Sequence, residues 1–442
     1  MKVVLLALGS RGDVQPMIAL GKALKAAGKP VTVVALRDFA PLVEEAGLAL
    51  APIDSRLDES LDAVSGSARK MAGGKWSYSR AMSAWVAGIA PQVAAAELAA
   101  VEPGDLVVAG MLSIDDAVAL QEARGCLAVG VFMAPVLPTA SGPSATVAVR
   151  PHGRSRLNRW VGRAALAAVA SMCTTTGSHL RDQMNLPRTG GLGFFKMLQT
   201  VPTLLATSPL VTPPPGDWPD NICQTGYWFD DSPAWDPPAD LSEFLAAGEP
   251  PVFIGFGSMP SADPSADVQL MTQAARQAGR RAVIRPSQGW CDSEESPEDV
   301  YLLREAPYRW LFPQMAAIIH HGGAGTTAEA LLAGVPNAVV AFGVDQPYHG
   351  RRIHALGAGP APIKRSKLTA DRLAELITAL TRPAQTAQWL AGAAEARSHL
   401  LHERGLEVAV ERLTTLMTNG DLPARGTSVP VERAEITTRA SS

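Results

Sequence analysis

The run His321-Gly322-Gly323-Ala324-Gly325-Thr326-Thr327-Ala328-Glu329 gathers an imidazole, glycines and hydroxyls in one short stretch. Residues 316–319 before it are apolar and strand-like, residues 328–333 are good helix formers, and Gly334 supplies a C-terminal stop. A strand, a glycine turn and a helix start leave unpaired backbone N–H groups at the positive end of a helix dipole, where a phosphate binds. The expected donors are the His321 imidazole, the amides of Ala324, Gly325 and Thr326, and the Thr326 hydroxyl. Gly323 leaves room for the anion to approach the backbone. The competing reading is a plain strand–turn–helix connection around a buried histidine.

A second chemical candidate is Asp13, in the turn Gly9-Ser10-Arg11-Gly12-Asp13-Val14-Gln15-Pro16 just past a first apolar strand. A carboxylate there can take a proton from a hydroxyl directly, whereas a histidine needs an acidic partner to orient it. Ser10 and Gly12 shape the turn. The alternative is that Asp13 caps a helix starting near Val14. Ser258 follows a second glycine-rich turn, Phe253-Ile254-Gly255-Phe256-Gly257, and is a phosphate donor or a cap. No Asp-x-Asp pair occurs to carry a metal–diphosphate complex, so no metal is expected, and the helix end and His321 must supply the positive field.

These segments, with Gly334-Val335-Pro336, Asp345-Gln346 and Trp310-Leu311-Phe312-Pro313, agree in order and register with a known signature. The chain resembles the inverting, nucleotide-sugar-dependent glycosyltransferases of family 1, in the branch of sterol glucosyltransferases and bacterial natural-product glycosyltransferases. The resemblance covers the start of the first half and nearly all of the second. It implies the GT-B fold, with Glu329 on the ribose hydroxyls, Asp345 and Gln346 on the sugar hydroxyls, and Asp13 as catalytic base where many relatives carry histidine. In many plant relatives a tryptophan two residues before a Pro-Gln pair stacks on the base. Here Leu311 holds that position before Pro313-Gln314 and Trp310 lies one residue off, so base recognition falls to Trp310, Leu311 or backbone groups.

The positioning elements follow from the pattern. At 442 residues, 47% hydrophobic and 18% charged, the chain is long enough for two cores. A net charge of −3 gives no sign of a nucleic-acid partner. The scattered Cys126, Cys173, Cys223 and Cys291 read as reduced thiols, and with no signal peptide or spanning segment expected, the expected location is cytoplasmic. Strand-like runs at 3–8, 31–35, 105–109 and 128–132 alternate with helical runs at 16–27, 40–46 and 114–123, which predicts a covered parallel sheet. A second alternating series begins at Pro251 and continues through 282–284, 318–320 and 338–341. The fold class is therefore α/β, two Rossmann-like domains facing a cleft. Residues 1–208 form the acceptor domain and 209–250, rich in proline, the linker. Residues 251–385 bind the nucleotide sugar, 386–418 are helices returning to the first domain, and 419–442 are a tail.

Met71, Trp76, Tyr78, Met82, Trp85, Phe132, Met133, Phe194, Phe195 and Met197 are candidates for an apolar acceptor pocket or for core. Arg150, Arg154, Arg156, Arg159, Trp160 and Arg163, with no acid among them, have the pattern of a basic segment resting on a membrane or of a solvated face. The expected activity is metal-independent transfer of a hexose, glucose first, from a nucleoside-diphosphate sugar such as UDP-glucose to a hydroxyl of a hydrophobic small molecule, with no cofactor. The alternatives are a nucleotide-sugar 2-epimerase of the same architecture and a glycosyltransferase using dTDP-deoxysugars.

Overall fold

The computed structural model describes residues 1–55, 75–230, 235–257, 259, 261, 263–287, 290 and 297–419, with backbone alone for 75–81 and 384–385. Two all-parallel sheets organise them. The first contains β1 (Val3–Leu6), β2 (Val31–Leu36), β3 (Ala49–Ile53), β4 (Leu106–Ala109), β5 (Leu127–Phe132), β6 (Thr203–Leu205) and β7 (Ile222–Gln224), in the order β3-β2-β1-β4-β5-β6-β7. The second contains β8 (Val252–Gly255), β9 (Ala282–Arg285), β10 (Val300–Leu302), β11 (Ala317–His320), β12 (Asn337–Ala341) and β13 (Ile363–Lys364), in the order β10-β9-β8-β11-β12-β13.

The central strands β1, β4, β8, β11 and β12 are buried at every position, because helices cover both faces. Their near-continuous apolar sequences satisfy that burial. In each sheet the strand order reverses at one place, between β1 and β4 and between β8 and β11. Crevices open at such switch points beyond the carboxyl ends of the strands. The turn carrying Asp13 follows β1, and the run from His321 follows β11, so both candidate groups stand at a crevice. This is the two-domain α/β arrangement expected from the sequence.

Two boundaries differ from the sequence reading. The proline-rich stretch is not a free linker: β7 completes the first sheet, and helix Ala239–Ala246 buries Leu241 in the second domain's core. Prolines interrupt regular structure without preventing the short elements between them from packing. Of the segment expected to return to the first domain, helix Pro383–Leu400 stays with the second, where Ala393, Ala396 and Leu400 pack with Ala328 and Leu331. Only helix Gly405–Asn419 crosses, burying Ala409, Leu413 and Leu416 in the first domain's core beside helix Arg11–Ala26.

The crossing is fastened at the hinge. Glu403 accepts hydrogen bonds from Ser208 Oγ and from Tyr227 N at 3.2 Å. Helix Gln346–Ala355 is tied to the same strip of chain: Tyr348 Oη lies 2.9 Å from Thr212 Oγ1, and Arg352 Nε donates to the Val211 carbonyl at 2.6 Å. The element behind Asp345 is thus anchored to the hinge. Cys126, Cys173 and Cys223 are free thiols, and Cys291 lies outside the described residues. Among the described residues no helix is long and apolar enough to cross a membrane.

Candidate functional site

Helix Ala324–Ala333 begins without a side-chain cap on its N-cap residue, Gly323. Thr327 N reaches the Gly323 carbonyl at 2.9 Å, but the amides of Ala324, Gly325 and Thr326 find no acceptor among the described residues. Three N–H groups at a helix's positive end are therefore free to bind an anion. The turn before them depends on Gly322, whose φ is +88° and where a Cβ would stand 2.7 Å from Val339 Cγ1. Only glycine fits that bend.

His321 lies half-buried between two glycines. A Cβ at Gly257 would come within 2.7 Å of its Cε1, and one at Gly323 within 2.4 Å of its Nε2. Both glycine-rich turns are thus shaped around the imidazole. Loss of water, then the nearby His349 and the Arg285 guanidinium, push its pKa down to about 4. His321 is neutral at pH 7 and acts as a hydrogen-bond donor rather than a fixed cation. Its Nδ1 is buried without a partner among the described residues. Arg285, at the carboxyl end of β9, supplies a permanent positive charge beside it; Arg285 Nη1 donates to Tyr308 Oη at 2.7 Å. Sequence reasoning missed Arg285. Its position at the end of the strand after the second glycine turn was the available signal.

Glu329 lies one turn and a half into the same helix and is not the solvated side chain of a free helix. Burial raises its carboxyl above the usual range, and Arg309, whose Nε donates to Oε2 at 3.2 Å, opposes the shift. Oε1 has no protein donor among the described residues. Arg309 itself rests 4.9 Å from the Phe229 ring centroid. Ser258 lies outside the described residues.

The loop from Phe342 to Gln346 divides the work differently from the sequence expectation. Gln346 Oε1 accepts from Phe342 N at 2.7 Å and Gly343 N at 3.2 Å, so its carbonyl is spent on the loop. Among the described residues its Nε2 meets only the Met259 thioether, at 3.1 Å, a weak acceptor that a ligand oxygen can replace. This clamp holds Val344 at φ 52° with 79% of its surface exposed. A β-branched residue pays strain in the left-handed region, and such strain collects at functional loops. No pattern in the sequence announces Val344. Asp345, next to it, lies 3.6 Å from His349 Nδ1, which is also 2.8 Å from the Gly322 carbonyl. Gly322 and Asp345 are therefore linked through one buried ring.

On the opposite wall, the helix of the first turn starts at Arg11, earlier than the sequence suggests, with Ser10 as N-cap. Asp13 is its third residue and reaches back: Oδ2 accepts from Ser10 N at 2.8 Å and from Ser10 Oγ at 2.9 Å. Gly9, at φ +140°, permits this, since a Cβ there would stand 2.4 Å from Oδ2. Gly12 is exposed beside it. Capping and chemistry coexist, because Oδ1 has no donor among the described residues. Asp13 keeps contact with solvent. The protein mass around the cleft nonetheless strips enough water to raise its pKa; the Ser10 bonds oppose this, and the Asp345 charge adds to it. Asp13 and Asp345 thus sense one another across the cleft, and Arg11 pairs with Glu305 over the same gap.

The expected acceptor residues mostly belong to the core. Trp85, Phe132, Phe194 and Met197 are buried within the first domain, and Met82, Met133 and Phe195 are half-buried against it. Met71 and the side chains of Trp76 and Tyr78 lie outside the described residues. Just beyond β4 and β5, half-buried Met111, Leu112 and Met133 give this end of the sheet an apolar surface. Leu311 is fully buried with Phe253 and Phe312 and cannot meet a base. Trp310 packs edge-on against Trp235, with ring centroids 5.0 Å apart.

Comparison with known proteins agrees with the two-sheet fold. Residues 3–109 match the model of the glycosyltransferase family 28 N-terminal domain, and residues 269–409 that of the erythromycin biosynthesis protein CIII-like C-terminal domain. The chain is 32% identical to an O-mycaminosyltylonolide 6-deoxyallosyltransferase of Streptomyces fradiae over 92% of this chain and 96% of that one. It is 30% identical to a sterol 3-beta-glucosyltransferase of Arabidopsis thaliana over 93% of this chain and 67% of that one. Against a second sterol 3-beta-glucosyltransferase of the same plant it spans 60% of the relative's length. The glycotransferase of kitacinnamycin superposes with a TM-score of 0.66 at 18% identity, covering 94% of this chain and 98% of its own. The glycosyltransferase VinC, solved with dTDP, superposes at 0.62 and 18% identity, covering 95% and 100%. None of these relatives is an epimerase.

Loss of water first, and the Asp345 charge last, raise the Asp13 carboxyl, which as the candidate base must be ionised to act. Activity should therefore fall as pH drops through that raised value. In Asp345→Asn the repulsion is gone, so the acid limb of the kcat/KM profile should move to lower pH whatever happens to the plateau. An acid limb that stays in place would separate the two carboxylates.

Proposed function

Because the chain belongs to family 1 of the nucleotide-sugar-dependent glycosyltransferases, we propose that it moves a hexose, glucose first, from a nucleoside-diphosphate sugar to a hydroxyl of a hydrophobic small molecule such as a sterol or natural product. One observation carries the reading: a carboxylate with a free oxygen, Asp13, faces Asp345 across the cleft from an uncapped helix start. In the proposed reaction the acceptor proton passes to Asp13 Oδ1 as the acceptor oxygen bonds to the anomeric carbon. The bond from that carbon to the diphosphate breaks on the far side, inverting its configuration. The leaving electrons settle on a phosphate oxygen facing the amides of Ala324, Gly325 and Thr326 and the His321 N–H. These donors are fixed in advance, so little reorganisation is needed as charge develops.

The uncapped helix end, the His321 ring and the Arg285 guanidinium lie together, so this charge is assigned to them. Glu329 Oε1 is free for a ribose hydroxyl. Met111, Leu112 and Met133 support an apolar acceptor. A deoxysugar donor on dTDP is the second reading, favoured by the Streptomyces relative and by the dTDP bound to VinC.

Asp13→Asn keeps an oxygen for Ser10 and removes the basicity. Donor affinity should be nearly unchanged while turnover falls about a hundredfold or more. Full turnover in the variant would remove Asp13 from the chemistry. In direct competition UDP-glucose should outpace a dTDP-deoxysugar, because a missing hydroxyl leaves Asp345 unpaired. A clear preference for the deoxysugar would instead favour the second reading.

A further inference from the structure

Between residues 123 and 181 the chain carries no acidic residue, although its overall charge is −3. The structure concentrates this imbalance on one surface. Helix Arg156–Cys173 begins at Ser155, which accepts from Leu157 N, and its first turns expose Leu157 at 50% and Trp160 at 65%. The preceding loop exposes Val147 at 40% and Val149 at 52%. The loop is held against the helix by buried Asn158: Oδ1 accepts from Val149 N and Arg150 N, each at 2.9 Å, and Nδ2 donates to the Arg150 carbonyl at 3.0 Å. The apolar tips are presented rigidly, not on a free strand of chain.

Arg150, Arg154, Arg156 and Arg163 are all exposed beside these side chains, and Arg163 lies 5.5 Å from the Trp160 ring centroid. Arg159 is different: half-buried, it pairs with Asp217, which also accepts from Thr139 Oγ1 and Ala140 N. Arg159 thus stabilises the platform, and Arg150, Arg154, Arg156 and Arg163 make no ion pair among the described residues. A large exposed aromatic among cations, with no carboxylate pairing them among the described residues, is complementary to a negatively charged, partly apolar surface. The same loop touches the second domain, where Arg351 Nη2 donates to the Thr146 carbonyl at 3.2 Å. The patch therefore borders the interdomain boundary.

We infer that this face docks reversibly on a bilayer containing anionic lipid, with Leu157, Trp160, Val147 and Val149 entering the headgroup boundary and the four arginines facing lipid phosphates. The full chain should co-sediment with vesicles of phosphatidylcholine and phosphatidylglycerol at about seven to three, and weakly or not at all with phosphatidylcholine alone. Raising salt should release it. Arg154→Glu, Arg156→Glu and Arg163→Glu together should lower the partition coefficient by about a hundredfold or more, at roughly fivefold per arginine removed. Trp160→Phe should abolish most of the lipid-induced blue shift in tryptophan fluorescence. Unchanged thermal melting confirms that the variants are folded. The inference is overturned if wild type ignores anionic vesicles, or if the substitutions leave binding intact. It is also overturned if light scattering finds a lipid-independent dimer that Trp160→Ser dissociates, since a second copy then covers the face.

Discussion

The site depends on a helix that starts with nothing to satisfy its own amides. Had a serine or aspartate stood at position 323, its side chain would cap Ala324–Ala333 and gain roughly a few tenths of a kcal/mol over glycine. It would also fill the space that an anion needs. Gly323 leaves that stabilisation unclaimed, and the same missing Cβ lets the His321 ring lie over the turn. Gly257, from the neighbouring switch-point strand, makes the matching concession from the other side. The two glycine turns form one device built from β8 and β11, and the parallel sheet places both ends at the same edge.

From this constraint the roles of the surrounding side chains follow. A ring stripped of water stays neutral, so His321 contributes direction while Arg285 contributes charge. Gln346 spends its carbonyl on the loop that aims Asp345, and the hinge contacts of Tyr348 and Arg352 fix the helix behind it. Opposite, Asp13 uses one oxygen to close its own helix start and keeps the other. One helix start is left uncapped and the other is closed by a carboxylate that keeps one oxygen unbonded among the described residues.

Much of this was legible in the sequence. Glycine, histidine and small residues after an apolar strand specify a tight turn into an uncapped helix through local rules alone, and the alternating series specify the sheets. What was not legible depends on contacts between distant segments. Leu311 has the register of a base-stacking residue, but its burial against Phe253 and Phe312 is decided by tertiary packing. Trp85 and Phe194 have the composition of a ligand pocket and serve as core. The crossing helix had to be located by the packing of Ala409, Leu413 and Leu416, because Pro383–Leu400 carries an equally helical sequence and stays behind. Arg285 and Val344 matter only through what the fold brings beside them.

The central claim, that the open helix start with His321 and Arg285 holds a diphosphate without a metal, is tested most directly by calorimetric titration in EDTA. UDP and uridine should be titrated into wild type and into His321→Ala. The account predicts that UDP binds much more tightly than uridine in the presence of chelator, and that this advantage shrinks in the variant while uridine affinity does not change. If the advantage of UDP vanishes in EDTA and returns with Mg2+, the phosphate site is not the one described.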